Sequence, residues 1–243
     1  MTSTGSNGRL GNQIIRNIAV SLLAEKHDLH VTYYNKELID ALGIPLYSGS
    51  TIFRSTLELN DSNYFTVYNG TLHANLNPNN AFFQTKQITN VIYAYVRTDA
   101  IRTRIMNCNP FKLRYNENND LFVHIRLADA AKWNPGVEYY IRAIRTISHD
   151  NLYISTDEHT HAIIQTLCKL YPHAKLVEYD EVTTLQFAST CKRLLLSHGS
   201  YSALIGYLGF YSTVYYPEHD PRKRWYGDLF SIQGWTALLT RHT

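Results

Sequence analysis

Between residues 121 and 216, short apolar runs alternate regularly with longer amphipathic stretches, and this alternation constrains the fold more than any other sequence feature. The apolar runs have the length of buried strands, and the stretches between them have the length and apolar spacing of helices. Such alternation predicts an α/β fold, with a parallel sheet and right-handed crossovers. The predicted strands are 121–126, 152–155, 175–178, 193–197 and, as the last of the series, 213–216, with helices at 137–147, 159–171, 184–191 and 202–210.

The part of the chain before residue 115 has a less regular pattern. Leu10, Ile14, Ile18 and Leu22 fall on one helical face and predict a helix that runs to about Lys26. The other predicted elements are a strand at 29–34, a short helix that stops at Gly43, strands at 56–59 and 64–68, a loop at 76–80 and a helix over 85–106.

A polar, turn-rich stretch at residues 115–120 separates these two patterns and is the predicted linker. The sequence therefore predicts two domains, 1–115 and 116–243. The chain is long enough for two compact domains of about 120 residues each.

The overall charge excludes one class of partner. The formal net charge is only +3, and there is no run of five or more Lys or Arg residues, so nucleic-acid binding is not expected.

Three widely spaced cysteines cannot form a metal quartet and suggest a reducing compartment. No apolar run approaches the length of about 20 residues that a membrane span requires, and the N-terminus lacks the regions of a signal peptide. We therefore expect a cytoplasmic protein without a transmembrane segment.

The residues that follow the predicted strands indicate where a ligand binds, because ligands of parallel sheets sit at the carboxyl ends of the strands. His124 and Arg126 end the first of these strands, on the same side, and Asp129 follows. The arginine fork matches a diphosphate and can neutralise charge on a leaving phosphate. The alternative is a structural ion pair between Arg126 and Asp129, which the spacing alone favours.

Two further stretches lie at strand ends. Ser155, Thr156, Asp157 and Glu158 can contact a nucleotide, although the pattern alone favours a helix N-cap. After Gly199, the start of a helix with small hydroxyl residues forms either an anion cradle or an ordinary capped core helix. This second stretch consists of Ser200, Tyr201 and Ser202. It is neither a nucleophile elbow nor a Walker loop.

Near the N-terminus, a glycine-containing loop leads into the first predicted helix. Its glycines, Gly8 and Gly11, allow a close approach of a ligand to the backbone. Arg9, Asn12 and Gln13 add a charge and two amides at the start of the helix. The alternative is a flexible segment followed by a capped amphipathic helix.

Several short motifs, in their order along the chain, resemble the fucosyltransferase superfamily. GRLGNQ is similar to the opening motif of the superfamily, AFFQTKQITNVIYAYVRTDAIR to its "YFQSEKYF…IR" region, and VHIRLADAAKW to its H-x-R motif. LYISTDEH, the stretch TTLQFASTCKRLLLSHGSYSALIGYLGF and RKRWYGDLFSIQGWTALL resemble the later motifs. The α-1,2-fucosyltransferases of bacterial and viral type are the most similar branch, and the protein O-fucosyltransferases are also similar.

This resemblance implies an inverting glycosyltransferase that uses neither a metal nor another cofactor. It implies a GT-B-like fold, with two Rossmann-like domains whose parallel sheets face a cleft and with the last helix crossing back. The implied substrates are GDP-fucose, bound by the C-terminal domain, and a glycan acceptor. The implied roles are catalysis for Arg126, which holds the diphosphate and assists the departure of GDP; donor binding for His124, Arg126, Ser155, Asp157, Glu158, Ser200, Tyr201 and Ser202; and the acceptor and donor-sugar side for Gly8, Arg9, Asn12 and Gln13. The resemblance assigns no general base, and Asp129 and Glu138 are the candidates for this catalytic role by position.

The sequence also departs from the family pattern. Leu127 and Ala128 stand where the H-x-R-R-G-D motif has its second arginine and its glycine. Two alternatives therefore remain. One is the same site with a different nucleotide sugar, and the other is a glycan-binding module without catalysis.

Overall fold

The computed structural model describes residues 1–218 and 227–240. These residues form two compact units. The first unit contains residues 1–108 together with 227–229, and the second contains residues 109–218 together with 230–240. No helix in these two described ranges is long and apolar enough to cross a membrane.

The first unit consists of short parallel strand pairs and five helices. Strand β1 (Thr2–Ser3) pairs with β2 (Val31–Thr32), and β3 (Thr56–Glu58) pairs with β4 (Asn75–Asn77). The Leu76 N–H donates to Thr2 Oγ1 at 2.8 Å, which joins β4 to β1. The helices are α1 (Leu10–His27), α2 (Lys36–Ala41), α3 (Tyr64–Asn69), α4 (Lys86–Val96) and α5 (Asp99–Cys108).

Helix α1 confirms its prediction and carries a buried arginine as well as the expected apolar face. Ile14 and Ile18 are fully buried, and so is Arg16. The Arg16 guanidinium donates from Nη1 to the Thr4 carbonyl (3.0 Å) and from Nε to the Ala81 carbonyl (3.1 Å). Burial lowers the pKa of Arg16. This side chain therefore ties together the segments that follow β1 and β4.

Three predictions in this unit were wrong. The strand predicted at 64–68 is α3, because the fully buried Tyr64 packs toward α1 and its hydroxyl donates to the Ala19 carbonyl at 3.0 Å. The loop predicted at 76–80 overlaps β4, which ends just before Pro78. The single helix over 85–106 is two helices, interrupted at residues 97–98.

The predicted linker at 115–120 is part of the second unit, which begins before it. Asn109 is buried, and its amide donates to the Tyr115 hydroxyl (2.9 Å) and to the Gln186 carbonyl (2.8 Å). The Asn118 amide donates to the Thr190 carbonyl at 2.9 Å. These polar residues therefore bond across the unit, and they do not form a solvated connection.

The second unit contains a six-stranded, fully parallel sheet that confirms the predicted α/β class. Its strands are β5 (Leu121–Ile125), β6 (Leu152–Thr156), β7 (Lys175–Leu176), β8 (Arg193–Leu195), β9 (Thr213–Pro217) and β10 (Thr236–Leu238). Their order is β10-β9-β8-β5-β6-β7. Counted within the unit, this is the 3-2-1-4-5-6 order of the Rossmann fold. The helices are α6 (Val137–Thr146), α7 (Ala162–Leu170), α8 (Glu181–Ala188) and α9 (Ser200–Leu208), with short 3-10 helices at Lys112–Arg114 and Ala128–Trp133.

The end of the chain differs from its prediction. The strand at 213–216 was predicted to be the last of the series, but β10 follows it and pairs with β9. The described residues 227–240 contain no helix. A last helix that crosses back would have to include residues 219–226 or 241–243, which lie outside the described residues.

The segment before β10 packs against α9 through one aromatic ring. The Trp235 ring lies 5.8 Å from Tyr207 and 6.3 Å from Tyr216, between ring centroids. A Cβ built on Gly206, in the middle of α9, would overlap the Trp235 ring. The glycine therefore makes room for the indole on the helix.

Gly206→Ala should lower the free energy of unfolding by about 1–2 kcal/mol. Overpacking costs about 1–3 kcal/mol, and the gain in helix propensity returns up to about 1 kcal/mol. Urea denaturation of Gly206→Ala in the wild-type and Trp235→Ala backgrounds measures this effect. In the Trp235→Ala background the substitution should be neutral or stabilising, and an equal loss in both backgrounds would contradict the packing role.

Candidate functional site

The strand order of the second unit defines one position for a ligand. β5 and β8 are neighbours, but the sheet continues from β5 through β6 and from β8 through β9. Connections from two such strands leave toward opposite sides and open a crevice at their carboxyl ends, where ligands of open α/β sheets bind. The segments at this position are 126–136, which follows β5, and 196–199, which leads into α9.

Arg126 lies directly after β5 and reaches toward the start of α9. Its side chain is 12% exposed. A Cβ built on Gly199 would lie 3.5 Å from Arg126 Cδ and 3.6 Å from Nη1, so the arginine runs over this glycine. Arg126 Nε is buried and has no hydrogen-bond partner among the described residues. The guanidinium thus lies beside the N-terminus of α9.

The N-terminus of α9 is built to leave its backbone donors uncapped. The capping residue is Gly199, with φ of 93°, which has no side chain that could cap the helix. The first N–H groups of a helix have no partner within it and carry a partial positive charge. Helix N-termini of this kind bind phosphate and other anions. Together with Arg126, this helix start forms a site for an anionic group.

Asp129 forms an ion pair with the Nη2 group of the Arg126 guanidinium. Arg126 Nη2 lies 2.9 Å from Asp129 Oδ1 and 3.2 Å from Oδ2, and Asp129 is 57% exposed. The ion pair between Arg126 and Asp129 that the spacing favours is therefore present. An exposed carboxylate is a weak partner, so an anionic ligand can compete with it for the guanidinium.

Asn134 and Tyr140, which the sequence analysis missed, hold the segment that carries Arg126. The Asn134 amide donates to the Arg126 carbonyl (2.9 Å) and to the Tyr140 hydroxyl (3.0 Å). The Tyr140 hydroxyl in turn donates to Ser197 Oγ at 3.2 Å. Burial raises the pKa of Tyr140 above its usual range, which keeps this hydroxyl protonated. The two loops of the site are thereby connected through α6.

The three hydroxyl residues of α9 differ in their surroundings. The Tyr201 hydroxyl donates to the Glu181 carbonyl at 2.6 Å, and burial raises the pKa of Tyr201. Ser202 Oγ is fully buried and lies 2.9 Å from the Ser197 nitrogen and 2.9 Å from His124 Nδ1. The hydroxyl of Ser200 makes no hydrogen bond to any residue in the described ranges. Among the three side chains, the Ser200 hydroxyl therefore has the most freedom to contact a ligand.

His124 is buried near the end of β5, in contact with α9. Its ring lies 5.3 Å from the Tyr201 ring, between centroids. The structure thus brings together six predicted residues around the start of α9: His124, Arg126, Asp129, Ser200, Tyr201 and Ser202.

The stretch after β6 has structural roles that differ from the predicted helix cap. Asp157 Oδ1 accepts the Leu127 N–H at 2.7 Å and so anchors the segment after β5. The Glu158 carboxylate accepts from the Thr160 hydroxyl at 2.7 Å. The N-cap of α7 is His161, whose Nδ1 accepts the Ile163 N–H at 3.2 Å. The predicted capping role of residues 155–158 was therefore wrong. Ser155 lies opposite His124 in the β5–β6 ladder.

The predicted residues near the N-terminus lie in the first unit and shape the loop before α1. Gly8 has φ of 80°, and Arg9 is the capping residue of α1. The Gln13 amide donates to the Gly8 carbonyl at 2.6 Å and accepts from the Asn35 amide at 2.7 Å. Asn12 Oδ1 accepts from the Gln84 amide at 2.8 Å. Both predicted amides thus hold this loop in place.

No group of three or more His, Cys, Asp or Glu residues that could hold a metal ion occurs in residues 1–218 and 227–240. The residues assembled around α9 instead offer donors and positive charge to an anion.

Comparison with known proteins gives similarity of structure and none of sequence. No protein-family model and no curated protein matches the sequence. Among solved structures, the chain is similar to E. coli heptosyltransferase WaaC with ADP-2-deoxy-2-fluoro heptose. The identity is 10%, the match covers 98% of this chain and 91% of that one, and the TM-score is 0.48.

Asp129→Asn should strengthen the binding of inorganic pyrophosphate about two- to fivefold, because the substitution removes the carboxylate that competes for Arg126. Isothermal titration calorimetry measures this change. Asp99→Asn is the matched control, since Asp99 forms an exposed i, i+3 pair with Arg102 at 2.8 Å in the first unit. Weaker binding in Asp129→Asn, or an equal gain in the control, would contradict the competition.

Proposed function

We propose that the protein is an inverting glycosyltransferase that transfers fucose from GDP-fucose to a hydroxyl group of a glycan. The observation that carries this proposal is the position of Arg126 beside the uncapped N-terminus of α9, at the crevice between β5 and β8. The order of the fucosyltransferase-like motifs along the sequence supports the choice of donor.

In this proposal the diphosphate of the donor lies between the Arg126 guanidinium and the first turn of α9. The Ser200 hydroxyl adds a further contact. When the bond between the sugar and the β-phosphate breaks, negative charge accumulates on the departing oxygen. A fixed guanidinium and a helix N-terminus stabilise that charge without reorganisation. The proposed chemistry therefore needs no metal ion or other cofactor.

The acceptor hydroxyl attacks the anomeric carbon from the side opposite the departing GDP, which inverts its configuration. The hydroxyl proton passes to a base, and we assign this role to Asp129. Its carboxylate is released when the diphosphate takes its place on Arg126. The products are the fucosylated glycan, GDP and the protonated carboxyl group.

For the other predicted site residues we propose the roles that the family resemblance implies. His124, Ser155, Asp157 and Glu158 belong to the guanosine side, and Tyr201 packs against His124. Gly8, Arg9, Asn12 and Gln13 of the first unit contact the acceptor and the donor sugar, on a loop that the two amides hold in place.

A second candidate is transfer from a different nucleotide sugar. Leu127 stands at the second arginine position of the family motif, and its side chain is fully buried among the apolar residues of the second unit. A residue in the core cannot make the contacts of a guanidinium with the donor. The identity of the nucleotide sugar therefore needs an experiment separate from the one that tests the role of Arg126.

Arg126→Ala should weaken GDP binding by at least about tenfold and abolish transfer, because a hydrogen bond to a charged group contributes about 1.5–3 kcal/mol. Calorimetry with GDP and a transfer assay measure the two effects. Arg145→Ala, which removes an exposed arginine at the end of α6, is the matched control and should behave like the wild type. Near-wild-type turnover of Arg126→Ala would overturn the assigned role.

A thermal-shift screen of GDP-, UDP- and dTDP-sugars should identify GDP-fucose as the most stabilising ligand. A donor at about 100 times its Kd stabilises the folded state by about 2.7 kcal/mol, which corresponds to a rise in Tm of about 5–10 °C for a chain of this size. A larger rise with another sugar nucleotide would establish the second candidate. Binding of GDP-fucose without transfer or donor hydrolysis would instead favour a glycan-binding module without catalysis.

A further inference from the structure

The Ser202 side chain is bonded entirely within the protein. Ser202 lies in the first turn of α9, is fully buried, and has two hydrogen-bond partners, the Ser197 N–H and His124 Nδ1, each at 2.9 Å. Three segments of the second unit, the end of β5, the loop after β8 and α9, therefore meet at one hydroxyl oxygen. This hydroxyl is not positioned to bind phosphate, in contrast to the expectation from the sequence.

The direction of these two hydrogen bonds follows from the atoms involved. The Ser197 N–H can only donate, so it occupies a lone pair of Ser202 Oγ. The single hydrogen of the hydroxyl then needs an acceptor, and among the residues that the structure describes His124 Nδ1 is the one partner of Ser202 Oγ that can accept it. A buried hydroxyl hydrogen left without an acceptor is costly. The Ser202 hydroxyl therefore donates to Nδ1, and the ring of His124 carries its hydrogen on Nε2.

Two tyrosines hold the groups around the hydrogen bond between Ser202 and His124 in place. The Tyr140 hydroxyl donates to Ser197 Oγ at 3.2 Å and fixes the loop that presents the Ser197 N–H. The Tyr201 ring packs against the His124 ring, with the two centroids 5.3 Å apart. The Tyr201 hydroxyl is bonded to the Glu181 carbonyl, so this ring is itself held.

We propose that Ser202 is a positioning residue that fixes the tautomer and the orientation of His124. The ring is thereby kept with its hydrogen on Nε2, in one orientation, on the residue that lies two positions before Arg126. In the proposed function His124 belongs to the guanosine side, so a fixed tautomer gives the donor nucleotide one defined ring to pack against and bond. This consequence for the ligand rests on the proposed function, whereas the tautomer itself does not.

The tautomer is tested by two-bond 1H–15N correlation spectra of the whole chain labelled with 15N-histidine, with His124→Gln used to assign the signal. The wild type should show His124 as the Nε2–H tautomer. In Ser202→Ala the signal should change to the Nδ1–H form or to an average of both, and Ser202→Thr should restore the wild-type pattern. Ser200→Ala is the matched control and should leave the signal unchanged. An Nδ1–H tautomer in the wild type, or an unchanged signal in Ser202→Ala, would overturn the proposal.

A second measurement follows GDP binding. Ser202→Ala should weaken GDP binding about two- to tenfold, the range expected for one lost hydrogen bond. In a His124→Ala background the same substitution should have no further effect, because Ser202 acts through His124. An additive loss in the double variant would show that Ser202 acts on the ligand or the fold by another route. If the wild type has the expected tautomer but does not bind GDP, the proposed function fails while the positioning role stands.

Discussion

Strands β5 and β8 lie side by side in the second unit, and the sheet continues from each of them in an opposite direction. The connections that follow two such strands leave toward opposite sides of the sheet, and ligands of open α/β sheets bind at this position. Arg126 comes from one of these segments and Gly199 from the other. The candidate site thus depends on the order of the strands, because β5 and β8 determine where the segments that carry its side chains begin.

The electrostatics of the site depend on how Arg126 is held. Its backbone carbonyl is fixed by Asn134, its side chain runs over Gly199, and its guanidinium shares one edge with Asp129. Within residues 1–218 and 227–240 the ion-pair partner of this mostly buried guanidinium is an exposed carboxylate, which a ligand can displace at little cost. A diphosphate would bring more charge and the additional donors of the helix start. The site can therefore bind an anion even though Asp129 contacts Arg126 in its absence.

The alternation of the second half of the sequence predicted the class of fold because the central strands, such as β5 and β8, are mostly buried apolar runs, and the helices between the strands, such as α6 and α7, bury apolar residues. The first half was harder to predict. The aromatic run at 64–68 has strong β-propensity, but the packing of Tyr64 against α1 decides that it is a helix. β10 was missed because its three residues are distant in sequence from β9, with which it pairs.

Within the candidate site, the sequence predicted which residues lie there but did not predict their hydrogen-bond partners. His124, Arg126 and the start of α9 could be found because they follow predicted strands. Hydrogen bonds across long sequence separations, such as that of Ser202 with His124, leave no local pattern. The cap of α7 was missed for another reason, since histidine is not among the residues that usually cap helices.

The most direct test of the central claim is a crystal structure of the whole chain in complex with GDP. The account predicts the diphosphate at the carboxyl edge of β5 and β8, within hydrogen-bonding distance of the Arg126 guanidinium and of the backbone N–H groups that begin α9. It also predicts that Asp129 has moved away from Arg126. GDP bound elsewhere on the chain, with the ion pair between Arg126 and Asp129 intact, would contradict the account.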